Sequence, residues 1–274
     1  MASKRRFATG ISGSTLLATV GILIAVVLIA AGLWWDKQRT AIEPSTTGAA
    51  SSSGLLVEPS TTFAPLETAT SKLADPSQPV RILVIGDSTG NDTDEWVSFT
   101  ARHLAEDKGR AVAMTTWNAD NEEFGREVQF PGAGELVTIT NFSAPGVAPP
   151  YHYYRLDAIA DDRPDLVVIS HGHNSPAVES HLKALTAKVG ELWPDPPALA
   201  VIDQNPRTDD PAQSQIAAGE MDKFAAAHPS VTVIDVRSAF ENGGGGSLLS
   251  DGLHPNVEGS RLWARTVWSA LGIS

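Results

Sequence analysis

From Val80 to the C-terminus, short runs of β-branched and aliphatic residues alternate with longer amphipathic stretches. That alternation limits the fold more than any other feature of the chain. Strands are expected over residues 80–85, 111–116, 135–141, 165–170, 198–203 and 231–236, and helices over 94–107, 154–161, 177–192, 211–227 and 259–271. Runs such as Ile82-Leu83-Val84-Ile85 and Leu166-Val167-Val168-Ile169 are apolar throughout, as strands are when helices cover both faces of a sheet. The pattern predicts an α/β domain, a three-layer α/β/α sandwich around a mainly parallel sheet, over residues 79–274. In such sheets a ligand binds beyond the carboxyl ends of the strands, so the residues that follow each strand matter most.

The N-terminal part follows a different pattern. No charged residue stands between Arg6 and Asp36, and the stretch from Leu16 to Trp35 is dense in Leu, Ile, Val and Ala. About 20 apolar residues cross a bilayer as a helix, so residues 11–35 are expected to form a transmembrane signal-anchor. Lys4-Arg5-Arg6 precedes it, and the positive-inside tendency assigns residues 1–10 to the cytoplasm. The protein is then a single-pass membrane protein with its body outside. A cleaved leader would release that body instead, but the apolar run is long for a leader and ends in Leu33-Trp34-Trp35-Asp36, a poor cleavage site. Residues 36–78, rich in Ser, Thr, Ala and Pro, are expected to be a linker.

Charge and cysteine content exclude several functions. Residues 1–40 carry five basic groups against Asp36, or 5 − 1 = +4, so the net charge of −12 leaves −12 − 4 = −16 for the remainder. An acidic body repels phosphate backbones, and nucleic acid is not an expected partner. With no cysteine, thiol nucleophiles, Cys-ligated zinc and iron–sulfur clusters are excluded. Nothing in the sequence sets an oligomeric state.

Four small constellations fall at strand ends. Gly86-Asp87-Ser88-Thr89-Gly90 follows the first strand. Ser88 can serve as an exposed nucleophile or as a helix cap, but Asp92 and Glu95 form a better-spaced capping pair. Ser143-Ala144-Pro145-Gly146 follows the third strand, and its glycine either lets an N–H approach a ligand or simply makes a turn. His171-Gly172-His173-Asn174 follows the fourth, where Asn174 can offer an amide donor to an oxyanion or hold a turn. Asp251-Gly252-Leu253-His254 precedes the last helix, with His254 a candidate base and Asp251 able to fix its tautomer. Each signal is weak alone. Together they fill the posts of one mechanism, because a serine hydroxyl needs a base, the base an orienting carboxylate, and the oxyanion its donors.

The set Gly86-Asp87-Ser88, Gly146, Gly172-x-Asn174 and Asp251-x-x-His254 resembles the SGNH, or GDSL, hydrolase family across nearly the whole body. The resemblance implies a flavodoxin-like fold and an esterase or acyl-hydrolase activity without metal or organic cofactor. It makes Ser88 the nucleophile, His254 the base and Asp251 its partner, with the Ser88 and Gly146 amides and the Asn174 side chain as oxyanion donors. Thr89 and Ser175 depart from the family's usual Leu and Asp, without removing a catalytic group. Asp87, Tyr151, His173 and Gln204 are candidate substrate contacts. The expected substrate is an ester-bearing small molecule, lipid or acylated glycan. Three alternatives remain: acyl transfer to a cell-envelope glycan by the same triad, a metal phosphoesterase using Asp87, His171, His173 and His254, and a binding module on an inactive hydrolase fold.

Overall fold

The computed structural model describes residues 62–274. Its strands are β1 (Val80–Gly86), β2 (Arg110–Asn118), β3 (Glu123–Phe124), β4 (Val128–Phe130), β5 (Gly134–Ser143), β6 (Leu166–Ser170), β7 (Ala198–Asp203) and β8 (Thr232–Asp235). Its helices are α1 (Leu66–Ala74), α2 (Trp96–Glu106), α3 (Pro149–Tyr153), α4 (Val178–Leu192), α5 (Pro211–Ala227), α6 (Val236–Gly243) and α7 (Val257–Ala270), with 3₁₀ turns at Leu156–Ile159 and Gly245–Leu248. The strands join in the order β3-β2-β5-β1-β6-β7-β8, with β4 also on β2. From β2 to β8 the pairing is parallel, and only β3 and β4 run antiparallel. The sheet is mainly parallel, as the alternation predicted.

Side-chain alternation divides the core into two layers. Ile82 and Val84 pack with residues of α1, α2, α6 and α7, whereas Leu83 and Ile85 pack with residues of α4 and α5. Both faces of β1 are therefore buried, which is why its sequence is apolar throughout. The chain leaves β1 toward β2 on one side and leaves β6 toward β7 on the other. The switch point lies between β1 and β6, where a ligand crevice opens in folds of this kind.

Several expectations need correction. The linker expected over 36–78 does not extend to 78. Leu66, Ala69 and Leu73, at helical spacing, turn the inner face of α1 into the core, with Ala69 and Leu73 buried. The buried Arg110 guanidinium ties down the end of α1, donating from Nη1 to the Leu73 and Asp75 carbonyls at 2.9 and 3.1 Å and from Nη2 to that of Gln78. Lys72 also pairs with Asp165 at 2.7 Å. The helix expected over 154–161 is instead the short α3 followed by a 3₁₀ turn, because Pro149 and Pro150 start the helix early. The last strand ends at Asp235, whose carboxylate caps α6 through the Ser238 N–H at 2.8 Å. The transmembrane segment expected at 11–35, the cytoplasmic residues 1–10 and the linker up to residue 61 lie outside the described residues. Among those described, no helix is long and apolar enough to cross a membrane.

Candidate active site

Parallel register brings three of the four constellations together. Gly86 pairs with Ser143 of β5 on one side and with Ser170 of β6 on the other. The segments leading to Ser88, Gly146 and Asn174 thus leave adjacent strand ends on one edge of the sheet. The fourth arrives from far along the chain. Ser88 Oγ lies 2.8 Å from His254 Nε2, and His254 Nδ1 lies 2.7 Å from Asp251 Oδ2. A carboxylate only accepts, so Nδ1 carries the proton and Nε2 is free to take the serine proton.

Asp251 also builds the turn that presents the histidine. Its Oδ1 accepts the N–H groups of Leu253 and His254 at 3.0 and 2.8 Å. The imidazole bond and these backbone bonds hold its carboxyl well below the usual carboxylate range. The turn is closed by the Ser250 N–H donating to the His254 carbonyl at 2.8 Å and by a bridge between Leu249 and Pro255.

The expected oxyanion donors lack hydrogen-bond partners among the described residues. Of their three residues, Ser88 lines the cleft beside His254, whereas Gly146 and Asn174 do not. Neither the Ser88 nor the Gly146 amide donates to another described residue. Asn174 Nδ2 is shielded from solvent and has no hydrogen-bond partner among the described residues, an arrangement that costs free energy unless a ligand accepts the bond. Gly146 has φ +70°, a backbone conformation that favours glycine. A cleft of about 360 Å³ opens at Ser88 and His254, lined also by Asn91, Asp92, Asp94, Glu95, Pro145 and Asp251 among others. Glu95 accepts the Asp92 N–H at 2.8 Å, and burial pushes its carboxyl up to about 8.

The candidate substrate contacts are corrected by burial. Asp87, His173 and Gln204 are all buried, and none lines the cleft. Asp87 Oδ1 accepts from the Thr89 N–H and hydroxyl at 3.1 and 2.8 Å, and its Oδ2 accepts from Gln204 Nε2 at 3.1 Å. His173 Nε2 faces the Asn205 carbonyl at 2.8 Å. Tyr151 is outside the cleft too: its hydroxyl accepts from Trp117 Nε1 at 2.9 Å, and Arg155 stacks on its ring. The four residues of the metal alternative do not converge either. His171 pairs with His152 at 3.0 Å, whereas His254 faces Ser88 and Asp251. No described group of three or more His, Cys, Asp or Glu is arranged to hold a metal. Sequence reasoning missed the His152–His171 pair and the bond from Asn205 to Leu253. Their partners lie 19 and 48 residues away in the chain, so no local spacing signals them.

No protein-family model matches the sequence, and neither does any curated protein. Solved structures do match in fold. An acetylxylan esterase from Geobacillus stearothermophilus, solved as a catalytic mutant, aligns with a TM-score of 0.52 at 13% identity, over 71% of this chain and 95% of that one. A two-domain esterase active on acetylated mannans, co-crystallised with mannopentaose, aligns with a TM-score of 0.54 at 16% identity. That alignment covers 77% of this chain and 54% of the esterase, so this chain spans about half its length. The described domain shares the mainly parallel α/β fold of these esterases. Within that fold, the Ser88 loop follows the central strand β1 and the Asp251–His254 turn precedes the final helix α7.

Proposed function

We propose that this chain is a serine esterase that cleaves short-acyl carboxylic esters of polar, non-anionic alcohols, with acetylated glycans as the substrate class. The reading is carried by the unbroken contact from Asp251 through His254 to Ser88, at 2.7 and 2.8 Å. Ser88 Oγ attacks the ester carbonyl while His254 Nε2 takes its proton. The oxyanion is met by the Ser88 and Gly146 amides and Asn174 Nδ2. As the C–O bond breaks, the imidazolium returns the proton to the departing alcohol and an acyl-enzyme remains. Water, deprotonated by the same histidine, then releases the acid. A glycan hydroxyl in place of that water makes the same site an acyltransferase.

Size and charge support the substrate class. The cleft's apolar lining is Pro145 and Pro255, which cannot bury a long acyl chain, and its charged lining is Asp92, Asp94 and Asp251, with Glu95 held mostly protonated below about pH 8. Carboxylates around the nucleophile disfavour anionic substrates and speed departure of the anionic acid product. The solved relatives' action on acetylated xylan and acetylated mannans agrees with this reading. Lys4-Arg5-Arg6 and the charge-free run after it support a membrane anchor, with the catalytic body held outside among envelope glycans.

A p-nitrophenyl ester series from acetyl to palmitoyl, run on the full chain, tests the substrate class. kcat/KM should be highest for acetyl and fall steadily with chain length. A serine-directed phosphonate should label the wild type and leave Ser88→Ala unlabelled. Palmitoyl turnover equal to acetyl would remove the short-acyl preference, and failure to label would remove the enzyme assignment.

A further inference from the structure

Gln204 and Asn205, at the carboxyl end of β7, line no part of the cleft, yet their side chains reach the three loops that carry Ser88, Asn174 and His254. Gln204 is 2% exposed. Its Nε2 donates to Asp87 Oδ2 at 3.1 Å, beside the nucleophile, and to the Ser170 carbonyl at 3.2 Å, at the root of the Asn174 loop. The Thr89 and Ser170 hydroxyls lie within 3.3 and 3.2 Å of the same nitrogen. Its Oε1 accepts the His173 N–H at 2.9 Å, and a Cβ on Gly172 would approach that oxygen to 3.1 Å. Asn205 Nδ2 donates to the carbonyl of Leu253, the residue before His254, at 3.0 Å. The Asn205 carbonyl in turn accepts His173 Nε2 at 2.8 Å.

We propose that Gln204 is a positioning residue for the reaction: its amide holds the Ser88 and Asn174 loops in register, and Asn205 extends the same hold to the His254 turn. The inference rests on the serine-esterase reading above. A primary amide offers a donor toward Asp87 and an acceptor toward His173 N–H from one planar group at any pH of the assay. An ionised Glu at 204 keeps the acceptor but sets a second carboxylate against Asp87. A protonated Glu regains a donor. Activity of Gln204→Glu should therefore depend on pH in a way that neither the wild type nor Gln204→Leu does.

The groups facing this position are Asp87 on the nucleophile loop, His171 and His173 after β6, and, on the Gln204 side, Arg207 with Asp209 and Asp203 with Arg237. Burial holds both histidines below their usual range, His171 at about 4, and so takes His171 out of titration above about pH 5.5.

The test measures kcat and KM for p-nitrophenyl acetate from about pH 5.5 to about pH 8, each variant read as a ratio to the full-length wild type at the same pH. Gln204→Leu should lose about 10²-fold in kcat, the scale of an ångström-sized misplacement, with KM within about twofold and a ratio that does not vary with pH. Gln204→Glu should be comparably impaired near pH 8 and recover at least about tenfold toward the wild type near pH 5.5, as a like-charged neighbour raises the pKa of a carboxyl. A pH-independent Gln204→Glu ratio, or a loss carried by KM with kcat intact, would overturn the assignment. So would melting of both variants below the assay temperature, which makes Gln204 a core residue only. An active wild type with unaffected variants defeats this inference alone, whereas a wild type that neither turns over ester nor takes the phosphonate defeats the functional reading beneath it.

Discussion

On the nucleophile side of the cleft, Asp87 is wholly inaccessible and its loop is tied by side chains from neighbouring strand ends. Across the cleft, the side chains of Asp251 and His254 are 56% and 34% exposed. The turn that carries them is held largely by its own residues, through Asp251 Oδ1 and the Ser250–His254 bond. One side is held by buried tertiary partners, and the other by a short-range turn with fewer long-range ties, from Asn205 to Leu253 and from Thr208 to Gly252. The functional requirements differ accordingly. A nucleophile and its oxyanion donors must be fixed relative to each other, which buried side-chain bonds achieve. The histidine must give and take protons and accept water's approach, which an exposed turn permits.

Replacing the nucleophile is the largest expected break in this comparison. Ser88→Ala should lower kcat by about 10⁶-fold, as loss of a triad serine does elsewhere, without shifting the thermal midpoint. A residual rate within about tenfold of the wild type would mean that the 2.8 Å contact is not the working one. Next in size is Asp251→Asn. A buried triad aspartate is worth about 10⁴ in kcat. Because Asp251 is more than half exposed, water solvates part of the developing imidazolium charge, and the loss should be nearer 10³ than 10⁴ on that scale. A retained rate would leave Asp251 as a turn residue and Ser88–His254 as a dyad.

The smallest expected effect compares the buried side with the cleft wall through pH. Burial holds His152, His171 and His173 below their ordinary range, so the fold keeps them neutral. Between the unfolded value near 6.5 and the folded value of about 4 for His171, the unfolded chain binds protons that the native state does not. Stability is therefore lost as pH falls through that window. Asp203, pushed up to about 6 by burial, works against this, as does Glu95, so two groups stand against three histidines. Glu95, pushed up to about 8, has the opposite sign: its contribution is complete below the unfolded value of about 4.5 and is lost as pH rises toward 8. Melting temperatures should rise from about pH 4 to about pH 6.5, and Glu95→Gln should melt a few degrees above the wild type near pH 8. A wild-type midpoint that does not change below pH 6.5 would contradict the neutral buried histidines.

The local signals were legible in the sequence because their physics is local. The alternation of apolar runs and amphipathic stretches fixed the parallel α/β architecture, since each strand buried on both faces needs a helix on each. Asp251-x-x-His254 was legible for the same reason: within one turn, the carboxylate bonds both the backbone and the ring. Ser88, Gly146 and Asn174 were legible as strand-end residues. That the strand ends before them adjoin follows from the register of Gly86 with Ser143 and Ser170, which no single segment encodes. Only the tertiary structure decided that Asp87, His173 and Gln204 face inward, because a polar residue at a strand end has the same local pattern whether it meets substrate or a partner from a distant loop. The same holds for α1, whose Ser- and Thr-containing sequence takes its helical stability from two buried residues and from an arginine on β2. Long-range contacts decided these points because burial depends on which surfaces meet, and the sequence within any one window does not contain its partner.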